Sequence, residues 1–274
     1  MASDGRKDAS PSQNLLIRSV AVAAMLCTGV YLAWRATTLG TNTWLSAPLF
    51  ILEVWGATHL ALVAMQGWST PPVATEPVQP TDDAPESVDL VITCTYHEPA
   101  DLERTLVACR SMTHLRQIVV ASRPLRRPEI GEVASAFGLE VLETDGNHVD
   151  CFWQGAQELG GDLVAWLEAG QVPMPDFITA TVGQFADPGV AVVQAGVGLL
   201  NKDSLAHLEG GRDEDPFRHA VALPSLSRHG VAPWRGGGSV VRTSAIRSVG
   251  GFDRGDQAAL QRAAVRLHAN RWQT

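Results

Sequence analysis

Polar side chains follow two of the apolar runs in this sequence, at points where a strand would end. They are Thr95, Tyr96 and Glu98 after the first predicted strand, and Glu168 after the fourth. A hydroxyl, an aromatic ring and a carboxylate at the end of a strand are suited to hold a base and a ribose. A single carboxylate suits a divalent cation that bridges a diphosphate. The same residue types also cap helices in ordinary loops, so neither set is specific by itself.

Short β-rich runs alternate with helical spacing from residue 88 onward. The predicted strands are Val88–Thr93, Gln117–Ala121, Leu139–Glu143, Asp162–Leu167 and Val190–Gln194. The predicted helices are Asp101–Ser111, Pro128–Phe137, Asp150–Leu159, Asp176–Phe185, Thr243–Val249 and Gln257–Asn270. We expect Asp101 and Asp150 to be N-caps, and the glycine-rich segment Gly210–Gly238 to be a loop. The alternation predicts an α/β domain with a mostly parallel sheet covered by helices, whose sites lie at the carboxyl ends of strands.

Composition and missing motifs exclude several function classes. The chain has 274 residues, a formal net charge of −8, and 21 basic residues of which only Lys7 and Lys202 are lysines. An acidic chain without a basic patch is a poor candidate for nucleic-acid binding. The dinucleotide, phosphate-loop and serine-nucleophile motifs are absent from the sequence. The four cysteines contain no CxxC pair, which argues against a zinc site.

Two apolar runs precede this α/β region. After a polar tail, residues 1–14, the runs Leu15–Trp34 and Trp44–Met65 are each long enough to cross a bilayer as a helix. We interpret residues 15–66 as a transmembrane hairpin. Alternatives are a signal peptide for the first run and a buried core helix for the second. The proline-rich residues 67–87 are predicted to be an extended linker.

The basic residues around the two runs indicate an orientation. Arg6, Lys7 and Arg18 lie before or early in the first run, and Arg35 lies in the connection between the runs. This distribution places both ends of the hairpin, and therefore the α/β domain, in the cytoplasm. The sequence thus predicts a two-helix membrane protein with a cytoplasmic domain.

Several segments together resemble the N-terminal part of the processive family-2 glycosyltransferases, the group of cellulose synthase. YLAWRATTL and LEVWG resemble the helices before the catalytic domain of that family, and VDLVITCTYHEP resembles its first strand. LEAGQVPMPDFITATVGQFADPGVAVVQ resembles its metal-motif segment. GGGSVVRTSAIRSVGGF resembles its small-residue acceptor strand, and RLHANRW resembles the segment after its catalytic carboxylate. The matches follow one another in order from Tyr31 to Trp272.

The resemblance implies a GT-A fold over residues 88–274 and the use of a UDP-sugar. It implies that Thr95, Tyr96 and Glu98 face the uracil and the ribose, with His97 in place of the usual asparagine. It also implies that Glu168 holds Mg²⁺ or Mn²⁺, weakly because it is a single carboxylate.

The sequence departs from the family at the positions that carry the chemistry. Gly170 replaces the second, metal-coordinating aspartate, and the second strand ends in Ser122 and Arg123 instead of an aspartate pair. Ala258, Ala259 and Leu260 stand where the family has its T-E-D general-base motif. The family's Gln-x-x-Arg-Trp motif is not found, so the domain is interpreted as truncated. The nearest acids that could replace the base are Asp253 and Asp256.

Three functional hypotheses follow. The first is a membrane-anchored pseudoenzyme, the accessory partner of an active polysaccharide synthase. The second is an active inverting glycosyltransferase with Glu168-bound metal and Asp253 or Asp256 as base. The third is a truncated or decaying copy of a synthase. Trp153 and Trp166 are predicted to be core residues, whereas Trp234 is either structural or stacks on a sugar.

Overall fold

A computed structural model describes residues 11–38, 40, 43–68, 88–123, 128–196, 226–227, 232–254 and 258–274. Most of the predicted tail, linker and glycine-rich segment lie outside these residues. The chain divides into two compact units, one with the two N-terminal helices and one with the α/β domain.

The N-terminal helices are α1 (Pro11–Thr37) and α2 (Thr43–Trp68). Within them, Arg18–Thr37 and Trp44–Met65 are long and apolar enough to cross a membrane, which makes them candidate spans. Their large apolar side chains are mostly exposed.

A polar contact joins α1 to α2. The carboxylate of Glu53 accepts hydrogen bonds from Tyr31 Oη at 3.1 Å and from Arg35 Nε at 3.4 Å. An acid in an apolar helix is costly in lipid, so it is expected to face another helix. The structure confirms that expectation for Glu53.

The α/β domain contains six strands and six α-helices among the described residues. The strands are β1 (Val88–Cys94), β2 (Leu115–Ser122), β3 (Val141–Glu143), β4 (Leu163–Glu168), β5 (Val192–Gln194) and β6 (Ser239–Arg242). The helices are α3 (Pro99–Cys109), α4 (Pro128–Ala136), α5 (His148–Leu159), α6 (Phe177–Val182), α7 (Thr243–Ser248) and α8 (Ala259–Ala269). A 3₁₀ turn, Gly183–Ala186, extends α6. The predicted alternation of strands and helices is confirmed.

The strands form one sheet in the order β3-β2-β1-β4-β6-β5. The first four are parallel, whereas β6 runs antiparallel to both β4 and β5. Strand β6 is therefore not part of the series of parallel β-α units. Its first residue, Ser239, pairs with Trp166 near the end of β4. The amino end of β6 consequently lies at the same edge as the carboxyl ends of the parallel strands.

Helices cover both faces of the sheet. Leu90 and Ile92 of β1 pack with α3, α4 and α6 on one face, and Val91 packs with α5, α7 and α8 on the other. All seven residues of β1 are buried, so this central strand is apolar on both faces, as is typical of parallel sheets covered by helices.

Asp89 is the charged exception in β1. Its side chain is 1% exposed and forms an ion pair with Arg116 of β2, whose Nε donates to Asp89 Oδ1 at 2.7 Å. A buried carboxylate needs a charged or hydrogen-bonding partner. The Asp89–Arg116 pair provides one and links the starts of the two neighbouring strands.

Both N-cap predictions are wrong, because each true cap lies three positions before the predicted aspartate. Helix α3 is capped by Glu98 and helix α5 by Asn147, with Asp101 and Asp150 at the third helical position of each. The two aspartates accept hydrogen bonds from the backbone N–H of the cap residues. They are the returning acids of capping boxes, a role that an aspartate near a helix start can fill as well as the cap itself.

Burial of His268 in α8 gives the protein a pH-dependent contribution to stability. Burial lowers the pKa of His268 from its ordinary value of 6.5, so the unfolded chain binds a proton there more readily than the folded chain. This contribution is therefore lost as the pH falls below about 6.5 toward the folded pKa. When the pH is lowered from about 7 to about 5, we expect the free energy of unfolding to fall less in His268→Gln than in the wild type. Urea denaturation of the full chain at both pH values measures this, and equal losses would contradict it.

Candidate functional site

The candidate site lies at the sheet edge where the parallel strands end. In the β1–β4 register Thr93 pairs with Glu168, and in the β1–β2 register Cys94 pairs with Ser122. The loops that follow these three strands are therefore neighbours. The sequence-predicted residues Thr95, Tyr96, Glu98 and Glu168 all lie in or at the start of these loops.

The loop after β1 presents an exposed aromatic side chain. Tyr96 is 77% exposed, Thr95 is half-buried, and Glu98 is exposed at the N-cap of α3. Arg123, the residue after β2, donates from Nη1 to Tyr96 Oη at 2.7 Å. The central guanidinium carbon of Arg123 lies 5.5 Å from the centroid of the Tyr96 ring. A cationic group with several hydrogen-bond donors thus stands beside the tyrosine.

The turn after β4 holds the half-buried Glu168. Gln171 Oε1 accepts from the backbone N–H of Glu168 at 3.0 Å, and the backbone N–H of Gln171 donates to the Glu168 carbonyl, also at 3.0 Å. Thr105 of α3 holds this turn in place through two hydrogen bonds. Its Oγ1 accepts from the backbone N–H of Gly170 at 2.9 Å and donates to the Gln171 carbonyl at 2.8 Å. Sequence reasoning missed Thr105, which is far from the turn in the chain.

Gly170 adopts a left-handed conformation, with φ of +91°. A Cβ atom built there would have only ordinary contacts, the nearest being Asp101 Cβ at 3.7 Å. The backbone therefore disfavours most side chains at this position, although space for one exists. Because glycine has no carboxylate, position 170 adds no acid to the turn. A cation bound here could use the side chain of Glu168.

The glycine run before β6 packs closely against the turn after β4. A Cβ atom on Gly237 would lie 2.7 Å from Gln171 Oε1 and 3.0 Å from Glu168 Cγ, so only glycine fits without displacing them. Gln194 of β5 donates from Nε2 to the carbonyls of Gly237 and Gly238, both at 3.1 Å. The run thus forms a fixed backbone wall beside Glu168, and Gln194 is a second positioning residue that sequence reasoning missed.

Aromatic residues form the floor beneath this edge. Trp166 is fully buried and stacks on Phe152 with ring centroids 4.3 Å apart, and its Nε1 donates to Thr93 Oγ1 at 3.0 Å. Trp234 packs edge-on against both rings, is 2% exposed, and donates from Nε1 to Ser239 Oγ. The prediction that Trp166 is a core residue is confirmed. The sugar-stacking alternative for Trp234 is wrong, because its ring faces the core.

The predicted general-base position is aliphatic. Leu260, near the start of α8, is buried, and its Cδ1 lies 3.3 Å from the Cβ position of Gly236. Asp253 forms ion pairs with Arg262 and Arg266, each at 3.3 Å. Both carboxylate oxygens of Asp253 are therefore engaged with arginine side chains. Asp256 lies outside the described residues.

His148, Asp150 and Cys151 lie close together in the sequence at the start of α5, and the contacts of Asp150 and Cys151 are structural. The Asp150 carboxylate accepts from the Asn147 N–H at 2.9 Å. Cys151 Sγ accepts from Thr144 Oγ1, and burial raises the pKa of the Cys151 thiol. Within the part of the chain that the structure describes, no three or more His, Cys, Asp or Glu residues are grouped so that they could hold a metal ion.

Neither a comparison with protein-family models nor a search of curated proteins gave a match. Solved structures are similar in fold. A mannosyltransferase from Pyrobaculum calidifontis, in complex with GDP-mannose and Mn²⁺, has a TM-score of 0.53 and is 14% identical, over 95% of this chain and 65% of its own. Glucosyl-3-phosphoglycerate synthase from Mycobacterium tuberculosis, with Mn²⁺ and UDP, has a TM-score of 0.42 and 16% identity over 60% of this chain and 59% of its own. The second similarity is too weak to assign a fold.

The chain spans 65% of the length of the mannosyltransferase. At such low identity this similarity establishes the fold and nothing finer. The α/β domain of this protein therefore has the fold of that mannosyltransferase, a GT-A fold.

Proposed function

We propose that this protein is a membrane-anchored, cellulose synthase-like member of the family-2 glycosyltransferases that has lost sugar transfer. It binds a nucleotide sugar weakly and serves as an accessory partner of an active polysaccharide synthase. One observation carries the proposal. In the described part of the site, Glu168 is the carboxylate that remains on the turn after β4. Gly170 and Leu260 stand where the family resemblance implies the second metal ligand and the base.

The chemistry of transfer explains why these replacements matter. An inverting transfer needs a group that accepts the proton of the attacking hydroxyl, which typically contributes about 10²- to 10⁴-fold in rate. Leu260 cannot accept a proton. The reaction also needs positive charge at the leaving diphosphate, which is worth several kcal/mol when a metal ion supplies it. A single carboxylate holds such an ion more weakly than two.

A divalent cation remains compatible with the site when a diphosphate is present. Mg²⁺ is commonly held by one or two carboxylates together with phosphate oxygens and water. Glu168 would supply the protein's oxygen, and the ion would then neutralise the diphosphate. The mannosyltransferase of similar fold was solved with Mn²⁺ and GDP-mannose, which supports Mg²⁺ or Mn²⁺ and a nucleotide sugar as the ligands.

The two N-terminal helices support membrane anchoring. Both are long and apolar enough to span a bilayer, and the acid in α2 is hydrogen-bonded by α1. Arg6, Lys7 and Arg18 favour a cytoplasmic position for the ends of this hairpin. The exposed apolar side chains of α1 and α2 would then face lipid or the membrane helices of the synthase.

A second candidate is an active glycosyltransferase that uses Glu168-bound metal. It is favoured by Glu168 itself, which keeps an acidic side chain at the end of β4 beside the glycine wall. The two ion pairs of Asp253 weigh against it, because they hold both oxygens of that carboxylate on Arg262 and Arg266.

Turnover of donor sugars separates these two functions. We expect the full chain in lipid nanodiscs, with Mn²⁺ and either UDP-glucose or GDP-mannose, to release nucleotide no faster than empty nanodiscs. The physical reason is the loss of the base and of the second metal ligand. If the full chain released nucleotide above that background, and Glu168→Ala abolished this release, the proposal would be contradicted and the active alternative established.

A further inference from the structure

The pair Arg123–Tyr96 has chemistry that the proposed function does not use. Arg123 follows β2, and Tyr96 lies in the loop after β1, so the two side chains meet across neighbouring strand ends. Tyr96 is 77% exposed, which leaves much of its ring open to a ligand. An exposed aromatic ring beside a guanidinium is a surface on which a nucleobase can stack.

Arg123 can also read the edge of a base. Arg123 donates from Nη1 to Tyr96 Oη at 2.7 Å, and its Nε–H and Nη2–H₂ are further donors. An arginine has no acceptor, so it discriminates between bases by the acceptors they present. The best match is a base with two adjacent acceptors, because a guanidinium then forms two parallel hydrogen bonds.

Guanine is the base that fits this requirement. Its O6 and N7 are adjacent acceptors and form a well-known bidentate pair with arginine, whereas adenine has a donor next to N7. In uracil an N–H separates the two carbonyl oxygens, so arginine can bond to only one of them. Cytosine also has two adjacent acceptors, O2 and N3, but offers a smaller ring to stack on Tyr96.

We propose that Arg123 and Tyr96 make this site selective for a guanine nucleotide. The proposal rests on the proposed function, because it requires that the strand ends hold a nucleotide. It changes the base expected from the sequence resemblance, which implies a UDP-sugar. A correctly placed bidentate pair discriminates between bases by about tenfold or more.

Isothermal titration of the full chain in nanodiscs with Mn²⁺ tests this selectivity. We expect GDP to bind at least about tenfold more tightly than UDP, ADP or CDP. UDP or CDP that binds as tightly as GDP would overturn the guanine assignment and leave the nucleotide site itself established. If none of the four nucleotides binds, the proposed nucleotide site fails, and the inference fails with it.

Two substitutions at Arg123 test whether this side chain is the cause. Arg123→Gln should weaken the affinity for GDP by about tenfold and change the affinity for UDP by less than about threefold. Arg123→Ala should likewise weaken the affinity for GDP by about tenfold or more and that for UDP by less, because it removes every donor of the side chain. Arg247, an exposed residue of α7 at the opposite edge of the sheet, provides the control, and Arg247→Gln should change neither affinity. If Arg123→Gln weakened the affinities for GDP and for UDP equally, the proposal would be overturned.

Discussion

Replacing Trp166 by alanine is expected to lower the free energy of unfolding by about 4 kcal/mol, at the level of the largest core truncations. Trp166 is fully buried in β4 and stacks on Phe152 at 4.3 Å. Its ring also lies against Trp234 and against the Cβ position of Gly236. The substitution would therefore leave a cavity directly beneath the candidate site. Urea denaturation of the full chain in detergent, followed by pulse proteolysis, measures the change.

Trp166→Phe provides a matched control. Phenylalanine keeps an aromatic ring on Phe152 but loses the hydrogen bond from Nε1 to Thr93 Oγ1. We expect it to cost about 1–2 kcal/mol, from the lost bond and a small loss of volume. If the alanine variant were within about 1 kcal/mol of the wild type, the packing described around Trp166 would be wrong.

Replacing Glu168 by glutamine is expected to remove most of the contribution of Mn²⁺ to nucleotide binding. Glu168 is the acid on the turn after β4, and Gly170 next to it offers no carboxylate. A neutral amide is a poor ligand for a hard cation compared with a carboxylate. Loss of even an outer-shell partner typically costs about 10- to 100-fold in metal affinity, so we expect at least about tenfold here.

The measurement compares the affinity for GDP and for UDP with and without Mn²⁺, in the wild type and in Glu168→Gln. Glu143, the exposed acid that ends β3 at the same edge of the sheet, is the control for the loss of one negative charge. Glu143→Gln should keep the effect of Mn²⁺. An undiminished effect in Glu168→Gln would show that other groups hold the ion.

The sequence predicts the sheet well because its strands are short, buried and apolar. Strand β4, for example, is predicted as Asp162–Leu167 and observed as Leu163–Glu168, and its first five residues are all apolar and buried. Strand β6 is different. It is four residues long, Ser239–Arg242, and follows a glycine run, so no periodicity identifies it and only the family resemblance indicates it.

The contacts of the site depend on residues that are far apart in the chain. Thr105 bonds to Gly170 and Gln171, and Gln194 bonds to the glycine run before β6. Local spacing carries no signal for such contacts. The residue types at the strand ends predict the place of the site, but the turn that holds Glu168 and the orientation of Trp234 follow only from tertiary packing.

Binding of Mn²⁺ in the absence of any nucleotide tests the proposed loss of metal ligands most directly. Electron paramagnetic resonance of free Mn²⁺ during titration with the full chain in nanodiscs reports it. A site with Glu168 as its carboxylate should bind Mn²⁺ with a Kd above about 1 mM, equivalent to about −4 kcal/mol. A Kd below about 10 μM that persists in Glu168→Gln would reveal a preformed set of ligands and would contradict the account of a site emptied of its catalytic carboxylates.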